Sequence, residues 1–188
     1  IEQKQFARGD VDPARLNLLK QHPDKSIAAR AKKLFADTGL GKRKEVVEKY
    51  QAALNLTSDS ARGKAVFKKN CSACHKLEGI GTSVGADLKG IRERGLASVM
   101  LNILDPNREV KPKYLNYILV TDEGVVLTGM IVSENANTIT IQRPDSTKSI
   151  VQRIQIEHLR STGMSFMPEG LEKQVDVQGM ADLLRYLD

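Results

Sequence analysis

Both cysteines of the chain fall in one five-residue window, Cys71-Ser-Ala-Cys74-His75. Two thiols three positions apart, with an imidazole directly after them, are suited to three kinds of chemistry. They can form two thioether bonds to the edge of a haem while the imidazole reaches the iron as an axial ligand. They can cycle as a dithiol redox pair, which wants a strand before the motif and a βαβ context. They can also contribute to a zinc site. Here a helical pattern precedes the motif, against the dithiol reading. The two other histidines, His22 and His158, are scattered, so zinc lacks two good ligands. The leading reading is one covalent haem c, tethered by Cys71 and Cys74, with its iron held by His75.

Such an iron needs a sixth ligand, or an open position in its place. A thioether sulfur is soft and raises the iron's potential. Five methionines compete. Met100 and Met180 lie on apolar helix patterns and Met130 in a strand pattern, where core packing is their expected role. Met164 and Met167 lie in a Gly/Ser/Pro-containing stretch before the last helical pattern, where a side chain could reach inward. Among the histidines, His158 follows the last strand pattern and reads as a surface residue. His22 precedes Pro23 at a helix break.

The elements that must position these groups fall into three parts. Residues 1–57 read as helical. Asp12-Pro13 is an N-cap and N1 pair, with Leu16, Leu18 and Leu19 on an apolar face up to His22-Pro23. Asp24 caps a second helix carrying Ile27, Ala28, Ala31 and Leu34, which Gly39-Leu-Gly41 closes. A third runs from Lys42 to Leu54, with Val46, Val47, Tyr50 and Leu54 inward. Paired short helices fit either the end of a HEAT-like repeat or a small helical extension. Residues 58–188 form the second expected domain. Ser58 or Asp59 caps a helix over 61–70, and another helix covers 96–104 before Asp105-Pro106. A β-rich insert then spans about 112–158. Its strand-like runs are 115–121, 124–132, 137–143 and 148–154, separated by turn residues, for about four antiparallel strands. A last helix covers 175–187. The fold class expected is mostly α with a β insert, α+β.

Charge and composition narrow the function. The 188 residues carry a formal net charge of +6, 40% hydrophobic and 28% charged residues, as in a globular protein. Residues 1–57 contribute +5, 58–111 contribute +4 and 112–188 contribute −3. Basic side chains flank the thiols: Lys64, Lys68, Lys69, Lys76, Lys89, Arg92 and Arg94. They form a solvated face or steer an acidic redox partner. Nucleic-acid binding is disfavoured, because aromatic–basic interleaving and a recognition-helix pattern are both missing. No apolar run is long enough to span a bilayer. No GxSxG, P-loop or HExxH motif is present.

The order of these motifs resembles the class I cytochrome c fold. "GKAVFKKNCSACH" is followed by "GIGTSVGADLKGI", a Met-containing loop and a terminal helix. With "LNILDPNREVKP", the β-rich insert and "SFMPEGLEKQV…GMADLLRYL", residues 59–188 are similar to the haem-binding domain of planctomycete and verrucomicrobial proteins. That domain often ends longer chains that carry HEAT-like repeats and a dehydrogenase-like propeller. The resemblance implies a helical core around one haem c and its iron. Gly63 and Phe67 would meet the last helix near Tyr186. Gly85-Ala86-Asp87-Leu88 matches the segment under the proximal histidine, and the carbonyl of Ala86, where the family usually has Pro, would accept the His75 N–H and so orient the ring. "MPEGL" matches the family's ligand loop, which favours Met167 as the sixth ligand, with Met164 second.

Two functions from different classes follow. One is a non-enzymatic electron-transfer domain, taking electrons from a fused or separate dehydrogenase and passing them to another carrier. The other is a haem-based gas sensor or peroxidase-like enzyme with an open or displaceable sixth position. The Met loop favours the first. Covalent haem attachment implies an extracytoplasmic compartment such as the periplasm.

Overall fold

The structure is a computed structural model that describes residues 13–34 and 43–188. Its helices are α1 (Pro13–Lys20), α2 (Lys25–Leu34), α3 (Lys44–Tyr50), α4 (Ser60–Asn70), α5 (Leu96–Leu104) and α6 (Val177–Leu187). Its strands are β1 (Lys76–Leu77), β2 (Ile80–Gly81), β3 (Leu115–Thr121), β4 (Val126–Glu134), β5 (Thr138–Gln142), β6 (Lys148–Gln152) and β7 (Ile156–Ser165). Helices and antiparallel sheets make the chain α+β. No helix among the described residues is long and apolar enough to cross a membrane. The Asp12 cap and the Gly39-Leu-Gly41 stop lie outside the described residues.

The described residues fall into two compact units, 43–108 with 167–188 and 13–34 with 109–166. The first unit is helical. Asp59 caps α4, its carboxylate accepting the Arg62 N–H at 2.8 Å. Asp176 caps α6 in the same way through Gly179 at 2.7 Å. Each cap satisfies an amide that the first helical turn leaves without a partner. The core joins Phe67, Val99, Met100, Leu104, Met180, Leu183 and Leu184, all at most 3% exposed. Tyr50 and Ala53 are buried in this same core, so the helical stretch before residue 58 packs into it.

Two carboxylates hold this unit together through guanidinium groups. Arg62 reaches both oxygens of Asp182, at 2.7 and 2.8 Å. Arg43 forks onto Glu172. Hydrogen bonding to the arginines holds both carboxyls below their ordinary range. A depressed carboxyl stabilises the fold above its unfolded pKa, roughly 4 for these side chains, and loses that contribution as pH falls through the lower folded value. Asp105 runs the other way: burial and then Glu169 raise its carboxyl, so protonation relieves a cost. Hydrogen bonds also lower Asp24, Glu78 and Asp145, so with five carboxyls against one the melting temperature should fall between about pH 5 and pH 3. Asp182→Asn should lower it at neutral pH and flatten that slope. A slope unchanged in Asp182→Asn would remove the pair from the account.

In the second unit, α1 and α2 pack as a pair. The Asp24 carboxylate accepts the Ser26 N–H at 2.8 Å and heads α2. Ala31 is buried, but Leu18 is 72% exposed, so it does not join the inward apolar face expected for α1. Two short helices cover only the strip along which they meet. The sheet has five strands in the order β6-β5-β4-β3-β7, every neighbour antiparallel. Its core is Leu119, Ile139, Ile141 and Val151. About four strands were to be expected, and the fifth, β7, extends the strand region to Ser165. It pairs with β3 through shifts of register on either side of 117–120. Its residues are polar, with Glu157, His158, Arg160, Ser161 and Thr162, so no period-two apolar pattern marks it.

Candidate haem site

The CxxCH residues form the turn that leaves α4. The Cys71 N–H still bonds to the Phe67 carbonyl at 2.8 Å, as helix geometry requires. The Cys71 carbonyl then accepts from Cys74 at 3.1 Å and His75 at 2.8 Å. Side chains lock the turn: the Ser72 hydroxyl donates to Lys68 O and the Thr82 hydroxyl to Ala73 O, both at 2.6 Å. The two thiols therefore come from a coiled turn in which the Cys71, Ser72, Cys74 and His75 amides already have partners.

A short hairpin follows at once. Leu77 pairs with Ile80, and the two residues between them, Glu78 and Gly79, have φ of 49° and 78°. This is the sign pattern of a type I′ turn, in which a non-glycine residue is strained. Glu78 is held there by Lys64 at 2.9 Å and the Tyr186 hydroxyl at 3.2 Å. Those two bonds, Lys64 first, keep its carboxyl below its ordinary range. They tie the loop after His75 to both α4 and α6.

The His75 ring is fixed from two sides. Its Nδ1 lies 2.9 Å from the Ala86 carbonyl, which sets that nitrogen as the donor and leaves Nε2 as the one available for a metal. Gly85 lies against the ring. A Cβ there would come within 2.6 Å of Cε1 and 2.9 Å of both nitrogens. The Gly85 N–H donates to the Cys74 carbonyl at 2.6 Å, so the segment beneath the ring is bonded to the CxxCH turn itself. Two half-buried thiols, a tautomer-fixed imidazole and a cradle that only glycine leaves clear fit a covalent haem c. Burial, then the neighbouring Cys74, pushes the Cys71 thiol up to about 11. Burial also raises Cys74. A dithiol oxidoreductase needs the opposite, a thiol made acidic.

The α4–α6 crossing stands behind the site. Gly63 lies under Asp182 and Tyr186, and Phe67 meets Tyr186 with ring centroids 5.5 Å apart at 57°. Of the candidate sixth ligands, Met167 is half-buried in the turn before the one-turn helix Leu171–Lys173, in the same unit as His75. Met164 lies in β7, is 50% exposed and falls in the other unit. Met100 and Met180 are fully buried in the helical core, and Met130 is buried in the sheet. His158 is exposed in β7 beside Glu157. His22 accepts the Asp24 N–H at 3.1 Å in the turn between α1 and α2. Of the basic flank, Lys64 is paired with Glu78, while Lys68, Lys69, Lys76, Lys89, Arg92 and Arg94 are exposed. The segment 85–88 lies at the ring, as the resemblance implies, and within it Gly85 is the residue in contact; the contacts of Arg43 were not legible in the sequence, since only spatial neighbours define them.

The cytochrome c family model matches residues 60–114, the stretch from α4 through His75 and Ala86 to the start of the sheet. The match supports a cytochrome c fold and haem-based electron transfer. Domains of that family carry covalently bound haem c with iron, pass electrons to redox partners rather than catalyse, and are typically extracytoplasmic. No curated protein matches the chain.

Proposed function

We propose that the chain is a monohaem c-type cytochrome domain that relays single electrons. Cys71 and Cys74 would carry the thioethers, and His75 and Met167 would hold the iron. The observation that carries this reading is the 2.9 Å bond from His75 to the Ala86 carbonyl above Gly85, immediately after two half-buried thiols. The bound haem supplies a one-electron iron couple. The protein's own part is positional. The Ala86 carbonyl orients the imidazole and makes it a stronger donor. The soft sulfur of Met167 raises the potential. With His75 and Met167 both holding the iron, it would serve as an electron carrier and no substrate would need to reach it. The domain takes electrons from a dehydrogenase, fused or separate, as in the planctomycete-type proteins it resembles, and delivers them in a periplasm-like compartment. Residues 58–188 carry the function, and α3 with the turn after it packs into the helical core of that domain.

Visible spectra of the oxidised and reduced holoprotein, before and after denaturing extraction, test this reading. A haem that resists extraction is expected. The weak near-infrared sulfur-to-iron band should vanish in Met167→Ala and persist in Met164→Ala. Haem extracted freely would sink the covalent site. Immediate carbon monoxide binding to a high-spin reduced protein would favour a sensor or enzyme instead.

A further inference from the structure

We propose that Arg43, Tyr50 and Glu172 form a clamp that positions the Met167 loop, so that residues 43–54, outside the cytochrome c match, set how firmly the sixth ligand is held. The inference rests on Met167 being that ligand. Glu172 lies five residues after Met167, in the one-turn helix that ends the loop. The Arg43 guanidinium bonds both of its carboxylate oxygens, at 3.0 and 2.5 Å. Its remaining edge, Nε, donates to the carbonyl of Leu104, the last residue of α5, at 2.8 Å. One rigid, planar group thus joins the start of α3, the end of α5 and the loop. The two side chains are 13% and 15% exposed, so water and salt do not screen the pair as they would at the surface.

Tyr50 adds a second fastening. It is 2% exposed, and its hydroxyl donates between the carbonyls of Val175, at 2.6 Å, and Glu172, at 3.1 Å. Asn107 adds a third, donating to Glu169 at 2.5 Å. The segment after Met167 is therefore held at residues 169, 172 and 175. Two of these three fastenings come from α3 and its N-cap. The bonds of Arg43 and Tyr50 go to Leu104, Glu172 and Val175 and not to the thiols or His75, so they are positioning residues. A neutral sulfur competes poorly with stronger donors unless the loop holds it in place. An added ligand binds only the fraction of molecules whose sulfur has left the iron, and its apparent affinity rises in proportion to that fraction.

The test is an imidazole titration of the full-length ferric holoprotein, followed by the visible spectrum and the sulfur-to-iron band. Arg43→Met should raise the apparent imidazole affinity about tenfold or more, the direct measure of a larger open fraction. Tyr50→Phe removes only a hydroxyl and should raise it severalfold, and this variant decides alone if Arg43→Met fails to fold. Arg62→Met cuts a fork of the same type, onto Asp182, away from the loop. It should leave the affinity within about twofold of the parent. An unchanged affinity in both Arg43→Met and Tyr50→Phe would overturn the clamp, as would an equal rise in Arg62→Met. Met167→Ala separates the two levels. If it abolishes the sulfur band while the clamp variants do nothing, only the clamp falls. If it leaves the band intact, the ligand reading falls and takes the clamp with it.

Discussion

Gly85→Ala is expected to cost the protein most of its correctly ligated haem. The added Cβ would stand 2.6 Å from Cε1 of His75 and 2.9 Å from both ring nitrogens, where carbon contacts prefer about 3.5–4.0 Å. Neither side of this contact can retreat freely. The ring is bonded to the Ala86 carbonyl, and the His75 amide is bonded to Cys71 O at 2.8 Å. The Gly85 amide is bonded to Cys74 O at 2.6 Å, so moving the segment away breaks that bond. Overpacking of this kind costs about 1–3 kcal/mol, and a lost hydrogen bond adds roughly 1 kcal/mol. The larger consequence is chemical. A ring that swings off Ala86 loses the acceptor that fixes its tautomer and orients the Nε2 that would hold the iron. Haem-stained protein per unit of polypeptide should drop severalfold, and the remaining holoprotein should unfold at a lower denaturant concentration. A Gly85→Ala protein with the parent's spectrum and midpoint would show that the ring is not seated against this glycine.

Met167→Ala and Gly85→Ala should fail differently. On the proposed ligand set, the first would remove one donor to the iron and leave the thioether and His75 attachments in place, so it should alter the near-infrared band and the potential more than the yield. The second attacks the side on which attachment occurs. Covalent linkage requires the two thiols and the imidazole in one turn, and that turn is bonded through Cys74 to the segment carrying Gly85. The distal side, fastened by Arg43 and Tyr50, is built separately from a segment more than a hundred residues away in sequence, as the 129-residue separation of Arg43 and Glu172 records. Proximal strength and distal lability are therefore adjusted by different residues.

What could be read in the sequence tracks this division between local and distant. The thiols and imidazole of 71–75 are contiguous, so their chemistry is visible in five letters. Caps and apolar spacing mark α4 and α6 because a helix is decided mainly by residues within one or two turns. The first four strands of the sheet are bounded by turns such as Asp122–Gly124 and Glu134–Asn137, whose side chains and glycine select the reversal locally. β7 escapes because its strand state depends on β3, some forty residues earlier, and its polar, mostly exposed faces carry no alternation. Leu18 falls off the inward face read for α1, on which Leu19 is half-buried, because apolar spacing says what could be covered, not that anything covers it. The Ala86 carbonyl came from resemblance to a family. So did the place of 85–88 beneath the ring, while the closeness of Gly85 to it and Arg43 on Glu172 are each defined by a partner that no local pattern names.

Gly63→Ala should show whether the α4–α6 crossing is as close as the structure has it. In an open helix this change stabilises, because alanine is favoured over glycine by about 1 kcal/mol in a helix interior. Here a Cβ would overlap the Asp182 carbonyl and lie 2.8 Å from the Tyr186 Cβ. Both obstacles belong to the backbone of α6 or sit directly on it, so no flexible side chain can swing aside. The helices would have to part. Parting them stretches the bond from the Asp59 amide to Asp182, now 2.7 Å, and opens the Phe67–Tyr186 pair. It also pulls Tyr186 from Glu78, which loosens the strained hairpin beside His75. Steric overlap with backbone belongs to the severe class of substitutions, and a loss of about 3–4 kcal/mol is expected despite the gain in helix propensity. Denaturant unfolding of the holoprotein reads the sign directly. A lower midpoint means the two helices touch backbone to backbone at residue 63. A higher one means the propensity term acts unopposed and the crossing lies elsewhere, in which case Gly63 no longer explains how α4 brings Cys71 to the haem.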